Sequence, residues 1–219
     1  EFIIANNYAV TQPILERENL SHMLEDLTLR SIEIAKEAIK ESGKEVLLAA
    51  SLPPLETSYR SDLILERTSM DHMYGELASI LENNVDIVIC ETMSHSQEAM
   101  SALTSIQNLK SQKWFAWTIY GNQTTLPSGE TLTAAFDVIS ALECDAYLSN
   151  CGGANLITEG IKELKPLTNK PSGGYGNSEI IEISKKDRSD RPEEDHWSSA
   201  TAINEKEYAQ NACYKVRAL

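Results

Sequence analysis

Cys151 is the residue whose type and setting best suit it to chemistry in this chain. It follows Asp145–Asn150, which reads as a strand, and precedes Gly152-Gly153, so its sulfur stands open at a strand end. A thiolate there serves as a nucleophile or a soft metal ligand. Taken alone, an isolated cysteine is as readily a small buried hydrophobe. Other strand ends also carry polar or reactive residues: Asn6-Asn7-Tyr8, Ser51, Cys90-Glu91-Thr92, Tyr120, Ser149-Asn150 and Tyr175-Gly176-Asn177. Singly, each reads equally well as a helix cap or loop residue.

The remaining cysteines do not complete a zinc site with Cys151. Cys144 lies at the far end of the same strand, roughly 20 Å away at ~3.3 Å per residue. Cys213 falls on the last helical pattern, and Cys90 competes with Glu91 for the inward-facing position, because neighbouring strand side chains alternate. The sequence thus offers one convincing ligand where a catalytic zinc takes three. His22, His72 and His196 read as solvated, and His95 as a loop or helix-capping residue. No Ser/His/Asp arrangement or H-E-x-x-H motif is present. The run Lys185–Arg191 reads as a solvated mixed-charge loop, and the Asn122-Gln123-Thr124 sequon is idle in a cytosolic protein.

The elements that must position these residues alternate. Glu1–Ala5 reads as a buried strand already under way, and Asn19 to Ser42 as a long amphipathic helix stopped by Gly43, with Leu20, Leu24, Leu27, Ile32, Ile34, Ala35 and Ile39 as its apolar stripe. Val46–Ala50 is a strand of the continuous apolar kind that is buried on both faces. After a Pro-containing loop, Leu52 to Asp62, helices follow at 66–83, 97–109, 132–142 and 156–164. Strands are expected at 85–90, 114–119, 145–150 and, weakened by Gly173 and Gly174, at 170–175. Such β–α alternation implies a parallel sheet, and both doubly wound sheets and barrels produce it. No G-x-G-x-x-G follows an early strand, so the usual dinucleotide site is absent. About six repeats, plus one more at each end, would make eight. The expectation is a (β/α)₈ barrel, incomplete at both termini, forming a single domain over 1–219. The ends agree: the chain starts inside a strand without an initiator Met, and its last helix, from Glu207, stops without a cap. In either architecture the active site lies at the carboxyl ends of the strands.

Composition narrows the partners. The 219 residues carry 19 Lys+Arg against 33 Asp+Glu, a formal charge of −14, and 42% of them are hydrophobic. That charge disfavours nucleic acid and anionic membranes, whose binding is driven by Lys and Arg. No apolar run reaches the ~20 residues that span a bilayer. Four irregularly spaced cysteines suggest a reducing, cytoplasmic setting.

Five segments, in order along the chain, resemble the homocysteine S-methyltransferase family. Ser51-Leu52-Pro53-Pro54-Leu55 followed by Ser58-Tyr59-Arg60-Ser61-Asp62-Leu63 is similar to the S-L-P-P-L…S-Y-R-P-D-L loop, and Asp86 to Met93 to the D-x-x-x-x-E-T-M strand. Ser128-Gly129-Glu130-Thr131-Leu132 resembles a helix start, Ser149-Asn150-Cys151 the V-N-C strand end, and Lys170 to Asn177 the K-P-x-G-x-Y-x-N strand. Ala5, where relatives often carry Thr, and Ser61, where they carry Pro, depart from the pattern.

The resemblance implies a zinc-dependent barrel that moves a methyl group from a sulfonium or quaternary ammonium donor to the thiol of homocysteine, giving methionine. It implies Cys151 as a zinc ligand, with an adjacent pair of further cysteines expected beyond Leu219. Glu91 would hold the homocysteine ammonium, with Asn150, Ser51 and the Asn6 segment positioning substrate, and Tyr8, Tyr120 and Tyr175 facing the donor cation. Without the cysteine pair, the 219-residue polypeptide is expected to be inactive. The alternatives are a truncated or degenerate zinc-free barrel that is inactive or only binds a small molecule, or a different barrel enzyme, a lyase or aldolase, using Glu91 as base.

Overall fold

The computed structural model describes residues 1–120, 124–181, 200–202 and 204–206. Six strands, β1 Phe2–Ile4, β2 Leu47–Leu52, β3 Ile87–Met93, β4 Gln112–Thr118, β5 Ala146–Gly153 and β6 Ser172–Asn177, form one sheet. Its spatial order is the order of the chain, and every pairing is parallel. A doubly wound sheet reverses its strand order at a switch point, whereas a barrel does not. The sequential order therefore decides what alternation left open: this is a curled half-barrel, six parallel strands with alternating helices in the manner of a (β/α)₈ barrel. A further antiparallel pair, β7 Glu179–Ile181 with β8 Ala200–Ala202, follows the sheet. The Lys185–Arg191 loop, His196, Cys213 and the last helix lie outside the described residues, as do Asn122 and Gln123 of the sequon.

The helices are α1 Gln12–Arg17, α2 Leu24–Ser42, α3 Arg67–Leu81, α4 Ser96–Ser105, α5 Leu132–Ile139 and α6 Ala154–Leu167. The expected helix from Asn19 begins instead at Leu24, after a 3-10 turn at Ser21–Met23. Ahead of it stands α1, a short helix the periodicity did not announce. Pro13 in its first turn was the available signal. Along α2, Leu24, Thr28, Ser31, Ile32 and Ala35 are buried at helical spacing, and Gly43 ends the helix in the left-handed region at φ 64°. Ile34 does not belong to that stripe and is 52% exposed. Two residues from Ile32 is about 200° around a 3.6-residue helix, which is nearly the opposite face.

Alternation along the strands divides the core in two. Val88, Cys90, Phe115, Trp117 and Tyr147 pack outward into the main cluster beneath the helices. Ala49, Ile87 and Ile89, with Trp114 against them, form a smaller cluster on the inner face. Paired register places Ser51, Glu91, Thr118, Asn150 and Tyr175 on that inner face toward the strands' carboxyl ends. Helix α6 lies unusually close to β5 and β6. A Cβ on Gly160 would come within 2.7 Å of Ser149 Oγ, and one on Gly174 within 2.4 Å of Ser149 O. The glycines that seemed to weaken the last strand therefore belong to a continuous one, and Gly174 lets the helix approach it.

Candidate functional site

Glu91 is the centre of the site. It lies in β3, is 4% exposed, and no cation pairs with it among the described residues. Three neutral groups donate to it instead. Ser51 Oγ, from β2, bonds Oε1; the Tyr175 hydroxyl, from β6, bonds Oε2; and Asn150 Nδ2, from β5, reaches Oε2 at 3.3 Å. Three strands thus converge on one carboxylate. A buried carboxylate costs a great deal unless its oxygens are satisfied, and hydrogen bonds meet that cost without neutralising the charge. What remains is a carboxylate fixed by three strands on the inner face of the sheet, toward the strands' carboxyl ends.

Asn150 carries the second layer of order. Its Oδ1 accepts from Thr92 N at 3.0 Å, and its amide nitrogen also lies 3.0 Å from Thr92 Oγ1, 3.0 Å from the Tyr175 hydroxyl and 3.3 Å from Cys151 Sγ. Thr92 Oγ1 is likewise 3.3 Å from Cys151 Sγ. This proximity depends on two kinks. Thr92 and Cys151 have φ of 60° and 52°, in the left-handed region that non-glycine residues seldom occupy, and the ladder register shifts at both places, between Cys90 and Met93 and between Asn150 and Gly153. Such backbone strain persists where surrounding contacts over-determine it. Its effect here is to turn the Cys151 thiol toward Thr92 rather than along the alternation of β5. Burial pushes this thiol above its ordinary range, helped by the Glu91 charge and opposed by Thr92 and Tyr59.

Beside this group runs the loop between β2 and α3. Tyr59, a third residue in the left-handed region at φ 67°, donates its hydroxyl to Cys151 O at 3.0 Å. Ser58 Oγ is 2.7 Å from the Tyr8 hydroxyl. Burial drives the Tyr8 hydroxyl up to about 12 and also raises that of Tyr59, so both are uncharged at neutral pH.

The sequence-predicted residues Ser51, Glu91, Asn150, Cys151 and Tyr175 are thus brought into one hydrogen-bonded group, with Tyr8 joined through the loop. Asn6 is exposed, and its neighbour Asn7 is the buried one: it donates to Ser51 O at 2.9 Å and accepts from Ser51 N at 3.0 Å. Tyr120 is half-buried just beyond β4, where its backbone N–H bonds Thr125 O. Sequence reasoning gave no role to Thr92, Asn7 or Tyr59. Thr92 and Tyr59 stood inside quoted motifs, but no pattern in a sequence announces a left-handed backbone at a threonine or tyrosine.

Cys90 and Cys144 are buried away from the site, with 0% and 2% exposure. His95 caps α4, accepting from Gln97 N at 3.1 Å, while His22 and His72 are exposed. Among the described residues no three His, Cys, Asp or Glu side chains gather as a metal would need. A catalytic zinc takes three protein ligands, so the described residues, with one soft donor in Cys151, do not by themselves fit that metal. No described helix is long and apolar enough to cross a membrane.

The family model described as Homocysteine S-methyltransferase matches residues 1–213. No curated protein matches the chain significantly. Among solved structures, the homocysteine methyltransferase MmuM from Escherichia coli in its metallated form is similar, at 22% identity over 80% of this chain and 66% of that one, with a TM-score of 0.70. Its oxidised form matches at 21% identity, over 80% and 65%, with a TM-score of 0.71. These likenesses concern the fold, and the chain spans about two thirds of the length of the solved relatives.

Proposed function

The chain belongs to the homocysteine S-methyltransferase family, and from that premise we propose that its strand-end site binds homocysteine and takes part in methylating it. The observation that carries this reading is Glu91, a buried carboxylate satisfied by three neutral donors and left without a cation among the described residues. An α-ammonium completes it with charge-assisted hydrogen bonds, the stronger kind. In this reading Ser51, Asn150 and Tyr175 fix the carboxylate, Asn7 fixes Ser51, and the substrate thiol lies toward Cys151. The Asn6 segment borders the substrate. Aromatic faces of Tyr8, Tyr120 and Tyr175 turn toward a cationic methyl donor.

The reaction balances simply. The substrate thiol releases its proton to solvent, and its sulfur forms a bond to the donor methyl carbon. The donor's carbon–sulfur or carbon–nitrogen bond breaks, and its electron pair stays on the departing neutral thioether or amine. The protein's part is to hold nucleophile and methyl in line and to keep water out. A zinc ion held there would supply ionisation of the thiol at neutral pH. Cys151 is proposed as one ligand, with the others outside the described residues, and no step is derived through the metal. The donor class proposed is a sulfonium or quaternary ammonium compound.

Calorimetric titration with homocysteine tests the reading. Glu91→Gln removes a charge-assisted bond worth about 1.5–3 kcal/mol, which is roughly 10- to 150-fold in Kd. An analogue lacking the amine should bind the wild type and the variant equally. Equal binding of homocysteine by both proteins would sink the proposal.

That the described residues bring one thiol to the site favours a second reading, in which this 219-residue chain binds homocysteine but does not transfer methyl. Zinc analysis of the purified chain separates the two. Substoichiometric zinc and negligible turnover support binding alone, whereas one tightly held zinc lost in Cys151→Ser, with turnover, restores the enzyme.

A further inference from the structure

Glu98, on α4, lies behind the sheet and belongs to no part of the site described above, yet it is only 4% exposed and no described cation pairs with it. Its Oε1 accepts from Leu55 N at 3.0 Å and lies 3.2 Å from the hydroxyl of Tyr74, itself fully buried on α3. The same hydroxyl bonds Pro53 O at 2.9 Å, and Thr11 Oγ1 bonds Leu55 O at 2.7 Å. Pro53-Pro54-Leu55 is therefore gripped on its backbone donor and on two of its carbonyls by side chains from three helical regions. Prolines lack the N–H groups that would tie such a segment into a ladder, so side chains must supply the anchoring.

This grip stands at the root of the β2–α3 loop. Farther along, Arg17 bonds Glu56 O at 2.8 Å, Ser58 meets Tyr8, and Tyr59 reaches Cys151 O. Tyr59 holds a left-handed backbone, so the loop tip keeps its strained conformation only while its base is fixed. We propose that Glu98 is a positioning residue, which anchors the base of the β2–α3 loop so that Tyr59 covers the Cys151 end of β5. The inference rests on the strand end being the thiol site, and it makes Glu98 act there without touching substrate. Burial, the largest influence on it, raises the carboxyl above its usual range.

The chain's own thiols provide the test. Cys151 lies under the loop, whereas Cys90 and Cys144 are buried in the core and react only if the fold opens. Iodoacetamide labelling of the full chain, treated with EDTA and mapped by peptide mass spectrometry, reads these three sites separately from one another and from Cys213. Glu98→Ala is expected to raise the rate at Cys151 about tenfold, equivalent to ~1.4 kcal/mol of loop opening, with Cys90 and Cys144 unchanged. Glu98→Gln, which keeps the acceptor, should restore the wild-type rate. If Glu98→Ala does not fold, Tyr74→Phe removes the hydroxyl on Pro53 O and should selectively expose Cys151 to a smaller degree. An unchanged Cys151 rate overturns the proposal, and so does a rise shared by all three thiols, which would make Glu98 a general prop of the core. Labelling needs no homocysteine, so the outcome stands apart from whether homocysteine binds.

Discussion

Replacing Gly174 by alanine should damage both the fold and the site, by an amount the structure lets one anticipate. The added Cβ would lie 2.4 Å from Ser149 O, 2.7 Å from Ile157 Cγ2 and 3.2 Å from Ile161 Cδ1. The isoleucine tips can rotate away, but Ser149 O is backbone of β5, directly paired with Gly174. To regain ordinary contact near 3.4 Å, β6 must retreat by about an ångström. Overpacking of this kind costs ~1–3 kcal/mol, and a backbone obstacle puts this case toward the upper end. The retreat also carries the adjacent Tyr175 hydroxyl away from Glu91 and Asn150. Gly75 is the matched control. It lies within α3 and an added Cβ meets nothing within 4 Å, so alanine there should stabilise by about 0.5–1 kcal/mol. Urea unfolding with unchanged m-values measures both differences, and homocysteine titration measures the loss at the site. If Gly174→Ala unfolds within about 0.5 kcal/mol of wild type, near the usual scatter for neutral substitutions, the close helix–sheet approach inferred here is wrong.

Two further outcomes follow from single contacts. Burial holds the Glu98 carboxyl above its unfolded value near ~4.3, so the native state binds more protons than the unfolded chain and stability falls as pH rises through that window. Glu98→Gln does not titrate; urea unfolding at stepped pH should therefore show the variant gaining on wild type as pH rises from about 4, and a flat difference would refute the shift. Thr131 caps α5, its hydroxyl accepting from Ala134 N at 3.2 Å. Thr131→Ala should cost ~0.5–2 kcal/mol of unfolding free energy, whereas Thr131→Ser should cost little.

The sequence by itself determined the alternation and its consequence. Apolar runs such as Ile87–Cys90 are buried throughout and had to be strands of a parallel sheet covered by helices. Because ligands meet such sheets at the strands' carboxyl ends, Ser51, Glu91, Asn150, Cys151 and Tyr175 fell within the set of strand-end candidates, alongside Asn6, Tyr8 and Tyr120, and the family resemblance gave them roles. What periodicity could not supply was anything set by contacts between distant segments. Barrel against doubly wound sheet was decided only by strand order, since both share the same local pattern. Asn7, not the exposed Asn6, was selected because only one of two adjacent side chains can face the Ser51 backbone. Ile34 was assigned to the α2 stripe on its hydrophobicity and lies outside it by rotation about the helix axis. The left-handed turns at Thr92 and Cys151, which join a threonine hydroxyl to a thiol across β3 and β5, have no signature in either residue's type. Such strain is affordable only where neighbours from several strands hold the backbone in place, and those neighbours come together only in the folded sheet.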